Sequence, residues 1–402
     1  MANRFPWRSP GPSRSGRTRR AVLLAASSAF LVMAAALQPA AAQDPPIQPA
    51  TASGPDAQRL QPLVDRMAGR VMQRFGTNGM IVGVSWQGRR SYFGFAAPGG
   101  TAFDADTIVE IGSVTKVFTT ALLAEAIAEG RIQADDNLQS LMPRRSFAPC
   151  TGQMTALQLA DFSSGMPDEP GNLPRRLAER GIDHYTSEDF LNWVSRWSED
   201  TGEGCNLPAP YRYSNASVGL LGYILADRLG EGWEELVRRR ITDPLGMTST
   251  HMRVPPEQQG RLAQGYGTEG NAVIPWPVFA WYAAGALRSS ASDMLAFGEA
   301  ALGHEAINGG TTPPALIAGL RTAMTPVYEP EGRLFGQGMA WIEHPGDEEE
   351  GTRPVYLKDG GTDGFNSVIV INPAKDLAVF ISANRADSGI PRLGVALSRH
   401  IR

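Results

Sequence analysis

A chain of 402 residues, 42% of them hydrophobic, can bury a substantial core in one large domain or two interlocked ones. Its formal net charge of -4 gives no electrostatic footprint for nucleic acid. Its five histidines are dispersed, without His-Glu-x-x-His or Cys-x-x-Cys company, which argues against a metal site, and no cofactor is expected.

The N-terminus reads as an export signal, residues 1–42. Arg14, Arg17, Arg19 and Arg20 precede an apolar run over 21–37, no acid appears before Asp44, and Ala40-Ala41-Ala42 offers small residues for cleavage. The pair Arg19-Arg20 resembles a twin-arginine signal. The alternative is an uncleaved anchor, for which the run is at the short edge of a membrane span and contains Ser27 and Ser28. The expected product is a periplasmic or secreted monomer without stable membrane insertion. A Pro- and Ala-rich stretch, 43–56, reads as a linker, leaving 57–402 as the folded domain.

Apolar residues at helical spacing predict a helix over 60–75. Runs 80–86 and 91–95, joined by 87–90, read as a β-hairpin. A helix is expected over 117–124, and the middle of the chain offers helices at 156–162, 187–197, 216–229 and 233–241, each apolar on one face. After residue 335 strands return at 338–342, 367–371 and 377–382, closing on a helix at 391–401. Strands at both ends with helices between predict an α/β (α+β) domain built from the two termini, with an all-helical insertion over roughly 131–320.

The chain has three lysines against thirty-four arginines. Lysine, unlike arginine, can lose its proton near neutral pH when buried, so the few lysine positions are informative. One lies in Ser113-Val114-Thr115-Lys116, where residues three apart share a helix face and the amine can reach the hydroxyl as a Ser/Lys dyad. Alone, the tetrapeptide equally suits a capping serine and a solvated lysine. A second motif, Tyr213-Ser214-Asn215, follows a proline-rich approach and opens an apolar helix, so it can present a phenol and an amide to a pocket. A third, Lys358-Asp359-Gly360-Gly361, precedes an alternating strand, and its glycines permit close approach of a ligand to backbone. There is no Gly-x-Ser-x-Gly elbow. For Lys116 to take the serine proton its pKa must fall, through desolvation and a second cation such as Lys358.

In this order and spacing the three motifs resemble the penicillin-recognising serine hydrolases, specifically the class C β-lactamase and low-molecular-mass penicillin-binding protein branch, marked by Ser-x-x-Lys, Tyr-x-Asn and Lys-Thr-Gly. Glu110-Ile111-Gly112, Ser163-Ser164-Gly165-Met166-Pro167, Pro244-Leu245-Gly246-Met247 and Asn372-Pro373 extend the likeness over nearly all the mature chain. The resemblance implies an antiparallel sheet flanked by helices, with a catalytic cleft beside the helical insertion. It implies Ser113 as nucleophile, Lys116 and Tyr213 as proton carriers, Asn215 holding the substrate amide, and backbone N–H groups of Ser113 and Gly361 as oxyanion donors. It also places Arg392 where the branch often has a basic residue for a substrate carboxylate. The substrate would be a small molecule or a peptidoglycan-derived peptide: a β-lactam, a D-alanyl peptide or a small ester. A slowly deacylating penicillin-binding sensor would share the acylation residues. One position departs from the pattern, Asp359 standing where the family usually has threonine. In an exported protein Cys150 and Cys205 can form a disulfide, or remain two buried thiols.

Overall fold

The computed structural model describes residues 51–173, 185–201, 206–346 and 351–402. The leader 1–42, most of the linker stretch and Cys205 lie outside the described residues. Among those described, no helix is long and apolar enough to cross a membrane.

Eight strands form one antiparallel sheet: β1 (Thr51–Ser53), β2 (Gly79–Trp86), β3 (Arg89–Ala96), β4 (Gly336–Gln337), β5 (Ile342–His344), β6 (Val355–Gly361), β7 (Asn366–Asn372) and β8 (Leu377–Ala383). Their order is β1-β3-β2-β8-β7-β6-β5-β4, so the two halves of the chain meet where β2 pairs with β8, Val82 opposite Ile381. The central strands are apolar on both faces, and their twofold alternation divides them between two cores. Met80, Val82, Val84, Val368, Val370, Val379 and Ile381 face helices α1 (Ala57–Phe75) and α7 (Ile390–His400). Ile81, Ile369, Ile371 and Phe380 face the larger core.

That larger core centres on α2 (Thr115–Ala128), whose residues 115–126 are all buried, a helix enclosed on every side. The same core takes in α3 (Ser187–Thr201), and α2 itself packs against α4 (Asn215–Leu229), α6 (Pro314–Met324) and, through Phe118 on Phe297, α5 (Ala291–Leu302). Helices α5 and α6 have no counterpart in the sequence reading. Although α5 falls within the 131–320 stretch read as a helical insertion, it rests on the sheet. A Cβ on its Gly298 would come 2.7 Å from that of Ala378.

Three expectations need correction. The β2–β3 connection is the two-residue turn Gln87-Gly88, both with positive φ (53° and 72°), the geometry that suits a tight hairpin. Arg89 and Arg90 belong to the strand, where Arg90 pairs with Glu299 of α5 at 2.5 Å. The apolar run 338–342 is mainly the turn between β4 and β5. Ala340 has φ 60°, Gly338 N–H bonds Trp341 O at 2.9 Å, and the run is apolar because Met339, Ala340 and Trp341 are buried under the helices. Thr51–Ser53, inside the stretch read as linker, pairs with β3 as an edge strand.

Candidate active site

The three motifs converge. Ser113 sits in a 3-10 turn, Gly112–Val114, that feeds directly into α2, so Lys116 lies in the first helical turn with its amine 3.0 Å from Ser113 Oγ. Gly112 takes φ 50° and lies against Gly361; a Cβ there would fall 2.6 Å from Gly361 O. Tyr213 and Asn215 stand at the entry to α4, fixed by Ser214, whose side chain caps the helix by accepting the Ser217 N–H at 2.9 Å. Tyr213 O–H donates to Ser113 Oγ at 2.7 Å. Lys358 projects from β6, fully buried, with its amine 5.4 Å from the Tyr213 ring centre, while Lys116 Nζ lies 4.9 Å from the same ring. One phenol is thus flanked by the amines of both site lysines.

Lys116 Nζ has three neighbours: Ser113 Oγ, Asn215 Oδ1 at 2.5 Å and the Ala284 carbonyl at 2.7 Å. A neutral amine has two N–H bonds and one lone pair. With its hydrogens given to Asn215 and Ala284, which can only accept, the lone pair is left facing the serine hydroxyl. Burial, then the Lys358 charge, pushes the Lys116 pKa well below that of an ordinary lysine, against the opposing pull of Asp168 and Asp359. Burial pushes the Tyr213 phenol well up, and although its bond to Ser113 works the other way, Asp359, Asp168 and Tyr211 reinforce the rise. Among these groups Lys116 is fitted to accept a proton and Tyr213 to remain a neutral donor.

Asn215 lines the pocket and uses Oδ1 on Lys116, which leaves its Nδ2 without a hydrogen-bond partner among the described residues. Gly361, the last residue of β6, lines the same pocket beside Gly112 and Ser113. Asp359 is paired with its neighbour, its Oδ1 accepting from Lys358 Nζ at 2.9 Å with the carboxylate about a third exposed. Burial raises the Asp359 pKa, but the adjoining Lys358, with Lys116 beyond it, outweighs this and holds the group below the usual range. Arg392 lies exposed in the first turn of α7 and is not among the residues lining the Ser113 pocket.

Sequence reasoning missed several parts of the site. Part of the pocket lining is aromatic: Trp276, Phe279, Trp281 and Tyr282, with Phe279 stacked on Trp281 at 4.8 Å. The first three stand in an irregular loop and Tyr282 opens the 3-10 turn Tyr282–Ala284, so periodicity gave no sign of them. Phe162 supports Tyr213, with ring centres 4.9 Å apart. It holds φ 67°, uncommon for a bulky residue, and its carbonyl accepts the Arg212 N–H at 2.9 Å, fixing the approach to Tyr213. Asp168 Oδ1 accepts the Asn215 N–H at 3.2 Å.

A Ser/Lys/Tyr cluster with its lysine fully buried, set between the start of α2, the start of α4 and the end of β6 in an antiparallel sheet, defines a serine hydrolase of the β-lactamase/transpeptidase type. The Beta-lactamase family model matches residues 64–396, and the chain belongs to that family. It is 26% identical over 356 residues to a beta-lactamase of Escherichia coli K12, covering 82% of this chain and 89% of that one. It is also 26% identical to the D-alanyl-D-alanine-carboxypeptidase/endopeptidase AmpH of the same organism, covering 81% and 84%. Among solved structures, a class C beta lactamase from Rhodobacter sphaeroides superposes with a TM-score of 0.69 at 27% identity, over 83% of this chain and 98% of that one. The protein is an enzyme, a serine hydrolase of the class C β-lactamase and penicillin-binding-protein kind.

Proposed function

We propose that the enzyme cleaves amide bonds of the β-lactam or D-alanyl-peptide type through an acyl-enzyme on Ser113. The observation that carries this is the convergence on one hydroxyl of a buried amine at 3.0 Å and a phenol donor at 2.7 Å. Lys116 accepts the hydroxyl proton as Oγ attacks the carbonyl carbon. Tyr213 protonates the leaving nitrogen and is reprotonated through Lys116, while backbone N–H groups of Ser113 and Gly361 hold the developing oxyanion. Water then cleaves the ester with Lys116 and Tyr213 again moving the proton. Incubation with a fluorescent penicillin, followed by peptide mapping, should place one adduct on the peptide containing Ser113. An adduct on any other residue would sink the assignment.

A second reading, a small-ester hydrolase on the same site, is favoured by the Lys358–Asp359 ion pair and the aromatic wall. An ammonium already paired with Asp359 has less attraction left for a substrate carboxylate, and a neutral acyl group suits the rings. Exchange of Asp359 for threonine restores a free Lys358 charge. Asp359→Thr should therefore raise kcat/KM for a carboxylate-bearing β-lactam relative to a neutral ester by roughly tenfold or more, equivalent to about 1.4 kcal/mol. An unchanged ratio in the two enzymes would remove Asp359 from the question of specificity and favour β-lactam or D-alanyl-peptide hydrolysis.

We further propose export by the N-terminal leader, with cleavage before Gln43, a monomeric mature enzyme, and a bond between Cys150 and Cys205. Intact-mass analysis of the exported protein should give a chain starting near Gln43 that takes up no alkylating reagent under denaturation without reductant. A retained leader or two alkylated thiols would contradict these proposals.

A further inference from the structure

Glu110 is buried, 4% exposed, three residues before the nucleophile, and has no part in the proton transfers above. Its carboxylate joins three segments that border the pocket. Oε1 accepts the Trp276 backbone N–H at 2.5 Å, at the aromatic wall. Oε2 accepts the Thr362 hydroxyl proton at 2.7 Å, one residue beyond Gly361. The Arg288 guanidinium lies 3.5 Å from Oε1 and donates to the carbonyls of Ala286, Met252 and Trp276. Thr362 Oγ1 in turn accepts N–H bonds from Gly364 at 3.3 Å and Phe365 at 3.1 Å, closing the turn that follows Gly361. The Glu110 carbonyl also accepts from Ser367 Oγ at 3.3 Å, on the strand opposite β6. A carboxylate can fill its acceptor sites in this way, whereas a neutral side chain of the same shape cannot satisfy a hydroxyl donor, an N–H and a guanidinium together.

We infer that Glu110 is a positioning residue: through Thr362 it holds Gly361, and through Trp276 the pocket wall, at a fixed distance from Ser113. This inference rests on the reading of Ser113 as nucleophile and Gly361 as oxyanion donor. The alternative is that Glu110 only neutralises a buried Arg288. Full-length protein is titrated with a fluorophosphonate, which phosphonylates the serine independently of natural substrate, and both the labelled fraction and the limiting rate of labelling are measured. Thr362→Val keeps the shape of the side chain and removes only its donor and acceptor. It should label to the same final fraction as wild type but at least about tenfold more slowly at saturating reagent, with half-saturation little changed, as expected for a group acting on the transition state. Glu110→Gln should slow labelling at least as much, and the double variant Glu110→Gln/Thr362→Val no further than the worse single variant, because both break one connection. Glu110→Gln/Arg288→Gln should remain slow. A Thr362→Val rate within twofold of wild type, or recovery of the wild-type rate in the Glu110/Arg288 double variant, would overturn the inference. Failure of wild type to label at Ser113 would instead overturn the functional reading on which it rests.

Discussion

Lys116→Arg should lower kcat/KM by about three orders of magnitude or more on any substrate, although both side chains are long and basic. The guanidinium keeps its proton throughout the accessible pH range and offers donors alone, so nothing would remain to accept the Ser113 proton. Because Lys116 is fully buried, the larger head also needs a control for crowding. Lys116→Met fills the channel with an unbranched side chain, and it should lose activity to a similar degree. In the wild-type enzyme the acylation rate should climb as pH rises through the Lys116 pKa and level off above it, since only the free amine is competent. As burial and Lys358 depress that pKa, the climb should end well below the range of an ordinary lysine. Arginine activity within tenfold of wild type would make Lys116 an ion-pair partner instead of the base.

Burial links this pH dependence to the architecture. An exposed Ser-x-x-Lys would leave the amine protonated, and the sequence alone could not say whether the helix carrying it is exposed. What settles the matter is α2 being buried on every face over residues 115–126, packed against α4 and α6 and, through Phe118 on Phe297, against α5. The central strands and α2 were legible as apolar runs bounded by turn residues, with length separating strand from helix, since neither is amphipathic. The dyad spacing was legible because residues three apart must share a helix face. The contact between Lys116 and Asn215, 99 residues apart, was not legible, since no local pattern carries a long-range distance and the resemblance gave Asn215 only the substrate amide. The Ala284 carbonyl that completes the lysine's environment is a backbone group, which any residue could supply. The turn at 338–341 misled for the opposite reason: it is apolar because it is buried, and a short apolar run does not distinguish a buried turn from a strand. Glu110 was visible as part of a motif, but its partners Trp276, Arg288 and Thr362 come from two distant loops and a short strand pair.

Gly360→Ala should be as damaging to the fold as Lys116→Arg is to the chemistry. A Cβ on Gly360 would lie 2.0 Å from Ile111 O and 2.9 Å from the backbone nitrogens of Ser113 and Val114. All three neighbours are backbone atoms of the nucleophile turn, so no rotamer change can relieve the overlap, and β6 must move away from that turn. Overpacking of this kind costs about 3 kcal/mol, and separation of the strand from Ser113 by about 1 Å should lower kcat by about a hundredfold through loss of alignment. The adjacent position provides the comparison. A Cβ on Gly361 meets nothing nearer than Phe365 O at 4.0 Å, so Gly361→Ala should unfold at nearly the wild-type denaturant concentration. The two variants add the same methyl group one residue apart and differ only in what it touches. Chemical denaturation together with steady-state kinetics should therefore separate them. Equal midpoints would show that the nucleophile turn yields to the strand, and that the close approach of β6 to Ile111 and Ser113 is not what holds the oxyanion donors in register.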